Sequence, residues 1–200
     1  PFSFNFGGGA YAETVQTGML FLYPGLPDAG FAVPSSVRRG SSYTPAAEGG
    51  RERVGLSVDN AHDVNGDGID DAIVGIPGWN TSDAGANGYF AGRASVWFGR
   101  IDGGVPATPD WSWSPMLPTS GFGYRVRGVG DLNGDGFADV AISAHGLGGG
   151  RVYFFEGSAA GLPSQPNFFV EHSGPGSWFG LDIAALGDVN GDGLADVAIG

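Results

Sequence analysis

The sequence contains no cysteine and no lysine. Without cysteine, disulfides and thiolate metal sites are excluded. The redox compartment stays open, since a secreted chain is also stabilised by bound cations. Without lysine there is no P-loop and no Schiff-base nucleophile. Basic charge is scarce: nine Lys plus Arg face 21 acids, for a net charge of -12. Nucleic acid and anionic membranes need a basic face and are excluded as partners. No apolar run approaches the ~20 residues of a membrane span, so no membrane insertion is expected. No signal peptide is visible. Only three histidines occur, His62, His145 and His172, without a Ser-His-Asp order or a His-x-x-x-His pair. Outside the acidic loops, Asp110, Glu156, Glu171 and Asp182 form no pair suited to acid–base work. The expectation is a protein that is not an enzyme.

What the chain has in excess is glycine, 39 of 200 residues, with 13 prolines. Such composition often signals disorder or collagen. Here 42% hydrophobic and 12% aromatic content argue against disorder, and no Gly-x-y period runs through the chain. Many short strands joined by tight turns remain. No segment has helical periodicity, so the expected class is all-β.

Three acidic stretches repeat: HDVNGDGIDDAIVG from His62, GDLNGDGFADVAIS from Gly130 and GDVNGDGLADVAIG from Gly187. Their first aspartates, Asp63, Asp131 and Asp188, lie 68 and 57 residues apart. Periods of this size mark propellers or solenoids. Nine residues upstream of each first Asp stand Val54-Gly55, Phe122-Gly123 and Phe179-Gly180. Between them and the loop, Val58, Val126 and Ile183 align, then Ala61, Val129 and Leu186; this is strand A. Strand B follows the loop as AIVGIPG, VAISAHG and VAIG. Strand C reads Gly-x-apolar-x-aromatic at 18–25, 92–99 and 150–157, and a weaker strand D follows as FAVPSSV, DWSWSPM and NFFVEHS. Strands B and C are apolar on both faces, which requires burial between stacked sheets, as in propeller blades.

The expected organisation is one domain over 1–200. Residues 1–49 give strands C-D of a shared blade, 50–117 and 118–174 give two complete repeats, and 175–200 give strands A-B of a shared blade. The chain begins at Pro1 and ends inside an apolar run, which suggests an excised piece. Three blade equivalents are too few to close a propeller. Completion by another chain would be head-to-tail, giving a closed ring or a filament. A piece of a larger propeller is the other option.

Numbered from its first Asp, each loop places side-chain oxygens at positions 1, 3, 5 and 9 and a backbone carbonyl at position 7. The candidate ligands are Asp63, Asn65, Asp67, Ile69 and Asp71; Asp131, Asn133, Asp135, Phe137 and Asp139; Asp188, Asn190, Asp192, Leu194 and Asp196. Alternating hard oxygens around a turn glycine suit a cation taking 6–8 oxygens in flexible geometry, Ca²⁺ rather than Mg²⁺. A plain hairpin turn also uses Asn, Asp and Gly. Three copies with acids at 1, 5 and 9 favour the metal, because converging carboxylates repel without one. Three Ca²⁺ would add six charges to the net -12, leaving -6.

The combination of Phe-Gly, Asp-x-Asn-Gly-Asp-Gly-x-x-Asp, an Ala-Ile-Gly run and a Gly-x-Val-x-Phe strand resembles the FG-GAP repeat of integrin α-subunits and bacterial surface proteins. The first copy departs, with Val54 in place of Phe, and "GAP" appears as Gly75-Ile76-Pro77 and Ser143-Ala144-His145. The resemblance implies a calcium-stabilised β-propeller at the cell surface or outside the cell, with calcium on one face and partners on the other. Its role would be adhesion or structure, with a protein partner or copies of itself. A carbohydrate-binding, lectin-like protein or a polysaccharide-processing one, using the propeller as a sugar-binding scaffold, is the alternative. Candidate partner or sugar contacts are Trp79, Asn80, Trp111, Trp113 and His145; inter-blade packing is the competing use of the tryptophans, and the expected one for Trp97 and Trp178. Arg125 and Asp182, at equivalent strand-A positions, are expected to pair between blades.

Overall fold

A computed structural model describes residues 52–79, 91–100, 106–174 and 176–200, and the strand backbone at 19–22, 25–26, 30–31 and 36–39. Its strands are β1 (Met19–Leu22), β2 (Gly25–Leu26), β3 (Gly30–Phe31), β4 (Ser36–Arg39), β5 (Ser57–His62), β6 (Asp71–Ile76), β7 (Arg93–Trp97), β8 (Trp111–Trp113), β9 (Val126–Gly130), β10 (Asp139–Ala144), β11 (Arg151–Phe155), β12 (Phe168–Glu171), β13 (Ile183–Gly187) and β14 (Asp196–Ile199). The described residues contain no helix. The chain is all-β, as the sequence predicts.

Two sheets are complete four-stranded antiparallel meanders, β5-β6-β7-β8 and β9-β10-β11-β12. They are the A-B-C-D blades read from the repeat. The third A-B pair forms the two-stranded sheet β13-β14. The first C segment pairs with a D segment as β1-β4, with Met19 opposite Arg39 and Leu22 opposite Ser36. Here strand D starts later than FAVPSSV suggests, because Phe31 is used by the small hairpin β2-β3. The described sheets do not close a ring.

Alternation sorts side chains to two inter-blade cores. From β10, Val140, Ile142 and Ala144 face the first blade, where they join Ile73, Val96, Phe122, Tyr153 and Phe155. Ala141 faces the other way, with Val129, Val152, Phe154 and Ile183, and Val197 and Ile199 pack on that cluster. This explains a strand that is buried on both faces. Each fully buried Phe or Ile contributes roughly 1.5–3 kcal/mol.

A β-bulge interrupts strand A just before each loop: Ala61, Val129 and Leu186 are skipped in the pairing of β5, β9 and β13 with their partners. Ala61 and Val126 face the core between the first two blades and Val129 and Ile183 the next one, so the aligned apolar positions, three apart, lie on opposite faces of strand A as alternation requires. The bulge turns Ala61 and Val129 into the cores, whereas Leu186 is exposed. The residue after it is left-handed in every copy, as Gly130, Gly187 and His62 (φ 58°).

Neighbouring strands A satisfy one another's edges with side chains. Val126 N–H donates to Ser57 Oγ at 3.1 Å, and Arg125 Nε and Arg127 Nε donate to the carbonyls of Leu181 (3.1 Å) and Ile183 (2.9 Å). Arg125 also stands 3.4 Å from Asp182, the pair expected from the repeat, and Arg127 stands 3.6 Å from Asp59. Capping the edge this way blocks further strand pairing there. A groove of about 420 Å³ runs along these strands between Asp59, His62, Arg127 and Asp182.

Candidate metal centre

Each acidic loop joins strands A and B, so the bulge and the hairpin present it at one end of its blade. The three loops share one hydrogen-bond pattern. At position 1, Asp63 Oδ1 accepts from the N–H of Gly66 (2.7 Å) and Asp67 (3.1 Å), and Oδ2 from Gly68 (2.8 Å). Asp131 repeats this with Gly134 (2.7 Å), Asp135 (3.3 Å) and Gly136 (2.8 Å). Asp188 does so with Gly191 (2.6 Å), Asp192 (3.1 Å) and Gly193 (2.9 Å). At position 3, the Oδ1 atoms of Asn65, Asn133 and Asn190 accept from the N–H of position 5, at 3.0, 2.9 and 2.8 Å. At position 5, Asp67, Asp135 and Asp192 accept from the N–H of Ile69, Phe137 and Leu194. Four backbone amides per loop, from positions 4 to 7, therefore make five hydrogen bonds to carboxylate or amide oxygens.

Position 9 has a different role. Asp71 accepts from Val64 N–H at 3.0 Å and from Gly99 N–H at 2.8 Å. Asp139 accepts from Leu132 at 2.8 Å and Gly157 at 2.9 Å, and Asp196 accepts from Val189 at 2.9 Å. Asp71 and Asp139 thus tie their own loops to the end of strand C. Asp71 and Asp139 are almost fully buried. Burial, with a smaller contribution from the charges at positions 5 and 1, raises their pKa to about 6 against the lowering effect of those amides. At exposed Asp188 the amides of Gly193 and Gly191 lower the pKa instead.

Among the described residues, no three His, Cys, Asp or Glu side chains lie close enough as placed to hold a metal ion. The loop oxygens are instead folded onto backbone amides. The donor set itself fits a hard cation: each carboxylate oxygen that accepts one N–H keeps a second lone pair, and every candidate ligand is oxygen. Burial, and after it the acids at positions 5 and 1, holds the pKa of Asp71 and Asp139 up although each accepts two amides.

The remaining candidates separate by burial. Trp113 packs edge-on against Phe122 (5.0 Å) and Phe155 (5.3 Å), and Trp111 against Phe155 (4.9 Å). Trp111 Nε1 also donates to the Pro163 carbonyl at 2.8 Å. Both rings are engaged in the core between the complete blades. Trp79 packs on Val54, Val74, Ile76 and Trp97, with the Arg93 guanidinium 3.9 Å above its ring. Asn80 lies outside the described residues. His145 is half-buried, 4.1 Å from the Tyr124 ring, and burial lowers its pKa. Trp97 is buried as expected. Trp178 departs from the packing expectation: it is 56% exposed, left-handed at φ 58°, and stacked beside His145.

Sequence reasoning missed Gly99 and Gly157, whose amides hold the position-9 carboxylates. Their signal is the glycine that closes each strand C, but its distance from the loop varies with the B-C connection. It also missed the position-2 residues, whose N–H groups bond back to position 9.

Two stacked four-stranded meanders and a third A-B pair, each carrying the same acidic hairpin, define blades of a β-propeller-type repeat protein. Residues 131–199 match the FG-GAP-like repeat family. The chain is 32% identical over 142 residues to "Integrin alpha-6" of Gallus gallus, covering 69% of this chain and 12% of that protein. It is 31% identical over 168 residues to "Integrin alpha-5" of Xenopus laevis (80% and 16%), and 39% identical over 100 residues to "Integrin alpha-E" of Mus musculus (44% and 9%). The chain belongs to the FG-GAP repeat family, and it spans less than a fifth of the length of these relatives.

Proposed function

We propose that this chain is part of an extracellular or cell-surface β-propeller of the integrin-α type, serving adhesion or structure, in which each acidic loop holds one Ca²⁺. The observation that carries the reading is the hydrogen-bond pattern common to all three loops, with Asp, Asn, Asp and Asp at positions 1, 3, 5 and 9 and the position-9 carboxylate buried in the first two. The ligands would be the oxygens of positions 1, 3, 5 and 9 and the carbonyl of position 7. Calcium would neutralise the converging carboxylates, and position 9 would pass the constraint to strand C through Gly99 or Gly157. Its role is structural, stiffening the A-B hairpin against its own blade.

The test is calorimetric titration of the full chain with CaCl₂, with thermal unfolding in calcium and in chelator. Binding to the native state alone stabilises by about 2.7 kcal/mol per site at a hundredfold excess over Kd. Absence of binding at millimolar calcium, together with identical melting in chelator, refutes the reading.

A protein partner, including a second copy of the chain, is supported by β12. Phe168 and Val170, 43% and 42% exposed, hold the register that Trp111 and Trp113 hold on β8, where those rings cover the next blade. Mass in solution tests self-assembly. Carbohydrate binding is favoured only by exposed Trp178 beside His145; a glycan array with Trp178→Ala tests it.

A further inference from the structure

The acidic loops touch one another as well as their own blades. The position-1 carbonyl of one loop accepts from the position-8 N–H of the next: Ala138 N–H donates to the Asp63 carbonyl at 3.1 Å, and Ala195 N–H to the Asp131 carbonyl at 2.9 Å. The position-7 side chain of the later loop lies on the position-4 glycine of the earlier one. A Cβ added to Gly66 would stand 2.5 Å from Phe137 Cε1, and one added to Gly134 would stand 3.1 Å from Leu194 Cδ2. A third link joins the first two loops. Asp139, at position 9 of the second loop, accepts from Gly157, and the next amide, Ser158, donates to the Val64 carbonyl of the first loop at 3.1 Å.

These contacts fall on the parts of each loop that the calcium reading uses. Position 1 supplies a carboxylate, position 7 a carbonyl and position 9 a carboxylate. Fixing positions 7 to 9 of one loop therefore holds position 1 and the position-4 turn of the loop before it. A loop already ordered by its neighbour gives up less conformational entropy when it binds. Coupling of this kind is reciprocal between the two sites.

Resting on the calcium reading above, we propose that the three loops bind calcium as a coupled row, in which Phe137 positions the first loop and Leu194 the second. The row is directional in its contacts. Gly191, the position-4 glycine of the third loop, has nothing within 4 Å among the described residues. The third loop lacks the brace that the other two receive. Among the described residues the first and third loops share no such contact, and their coupling runs through the second.

The experiment is a calcium titration of the full chain followed by amide NMR, in which Gly66 and Gly68, Gly134 and Gly136, and Gly191 and Gly193 report the loops separately. Phe137→Ala removes the brace on the first loop yet keeps the residue 137 carbonyl. It is expected to weaken the first loop by about fivefold or more, within the usual range of coupling between sites. Ile69→Ala, at the same position of the first loop, faces no described neighbouring loop and is expected to leave the second and third loops unchanged. Asp188→Asn with Asp192→Asn disables the exposed third loop without touching the core, and is expected to weaken the second loop several-fold and the first least. This pair decides the matter where Phe137→Ala fails to fold. Loops that titrate independently in these variants overturn the coupling and leave the calcium reading standing. A wild-type chain that binds no calcium removes the reading itself.

Discussion

Gly150→Ala tests how the blades are joined. Gly150 opens strand C of the second blade at φ 106°, and a Cβ there would lie 2.0 Å from the Phe179 carbonyl oxygen and 2.7 Å from its nitrogen. The same joint occurs one blade earlier, where a Cβ on Gly92 would lie 2.1 Å from the Phe122 oxygen. An L side chain at such a φ costs about 1–3 kcal/mol. Relieving the overlap requires the Phe179 segment to move by more than about 1 Å, since ordinary carbon–oxygen contacts begin near 3.3 Å. That movement breaks the hydrogen bond from Phe179 N–H to the Gly149 carbonyl, 2.9 Å, worth about 1 kcal/mol, and loosens Ile183 and Phe154. The sum is about 3–5 kcal/mol. Gly148→Ala is the control: it is also left-handed, at φ 55°, but a Cβ there meets nothing within 4 Å. It should cost only about 1–2 kcal/mol of backbone strain. Urea unfolding of both variants in chelator measures the difference, and hydrogen exchange of β13 and β14 shows whether the third A-B pair comes away. Equal losses from the two substitutions would refute an inter-blade joint built on backbone contact.

His62→Gly should stabilise the chain by about 0.5–1 kcal/mol in thermal unfolding, because exposed His62 occupies a left-handed position that the other two copies fill with glycine. Trp113→Ala should cost about 3–5 kcal/mol in urea, since its ring joins Phe122, Tyr153 and Phe155 across the blades. Trp111→Phe should cost about 2 kcal/mol, from the lost Nε1–H bond to Pro163 and the smaller ring against Phe155. Burial lowers the His145 pKa, so the unfolded chain takes up this proton first as pH falls. Its contribution to stability is therefore present above the ordinary histidine pKa of about 6.5 and lost below it. His145→Gln should remove that part of the acid slope when wild type and variant are compared between about pH 7.5 and 5.

Much of the fold was legible because the repeat states it three times. Ala72 to Ile76, Val140 to Ile142 and Val152 to Phe155 are apolar at successive residues, and only sheets stacked on both sides satisfy such runs. The Arg125–Asp182 pair was readable because strand A keeps its register from copy to copy. The bulge was less legible. Its trace is the left-handed residue just before each loop, glycine at 130 and 187 but histidine at 62, so the first copy hides it. Trp178 was misjudged because its neighbours in sequence suggest packing, whereas its left-handed backbone swings the indole outward beside His145. In the loops, residue types and spacing gave the donor set, but not that each position-1 carboxylate would be gathered onto three amides.

Residue chemistry and spacing alone determine that this chain is all-β, blade-like and armed with three oxygen-rich hairpins, since period, turn glycines and alternation are local properties. Tertiary structure decides which blade each face covers, that Gly99 and Gly157 receive the position-9 carboxylates, and that Phe137 and Leu194 rest on the glycines of the preceding loops. Those contacts join residues tens of positions apart. They depend on the stacking distance and twist between sheets, which no local pattern encodes.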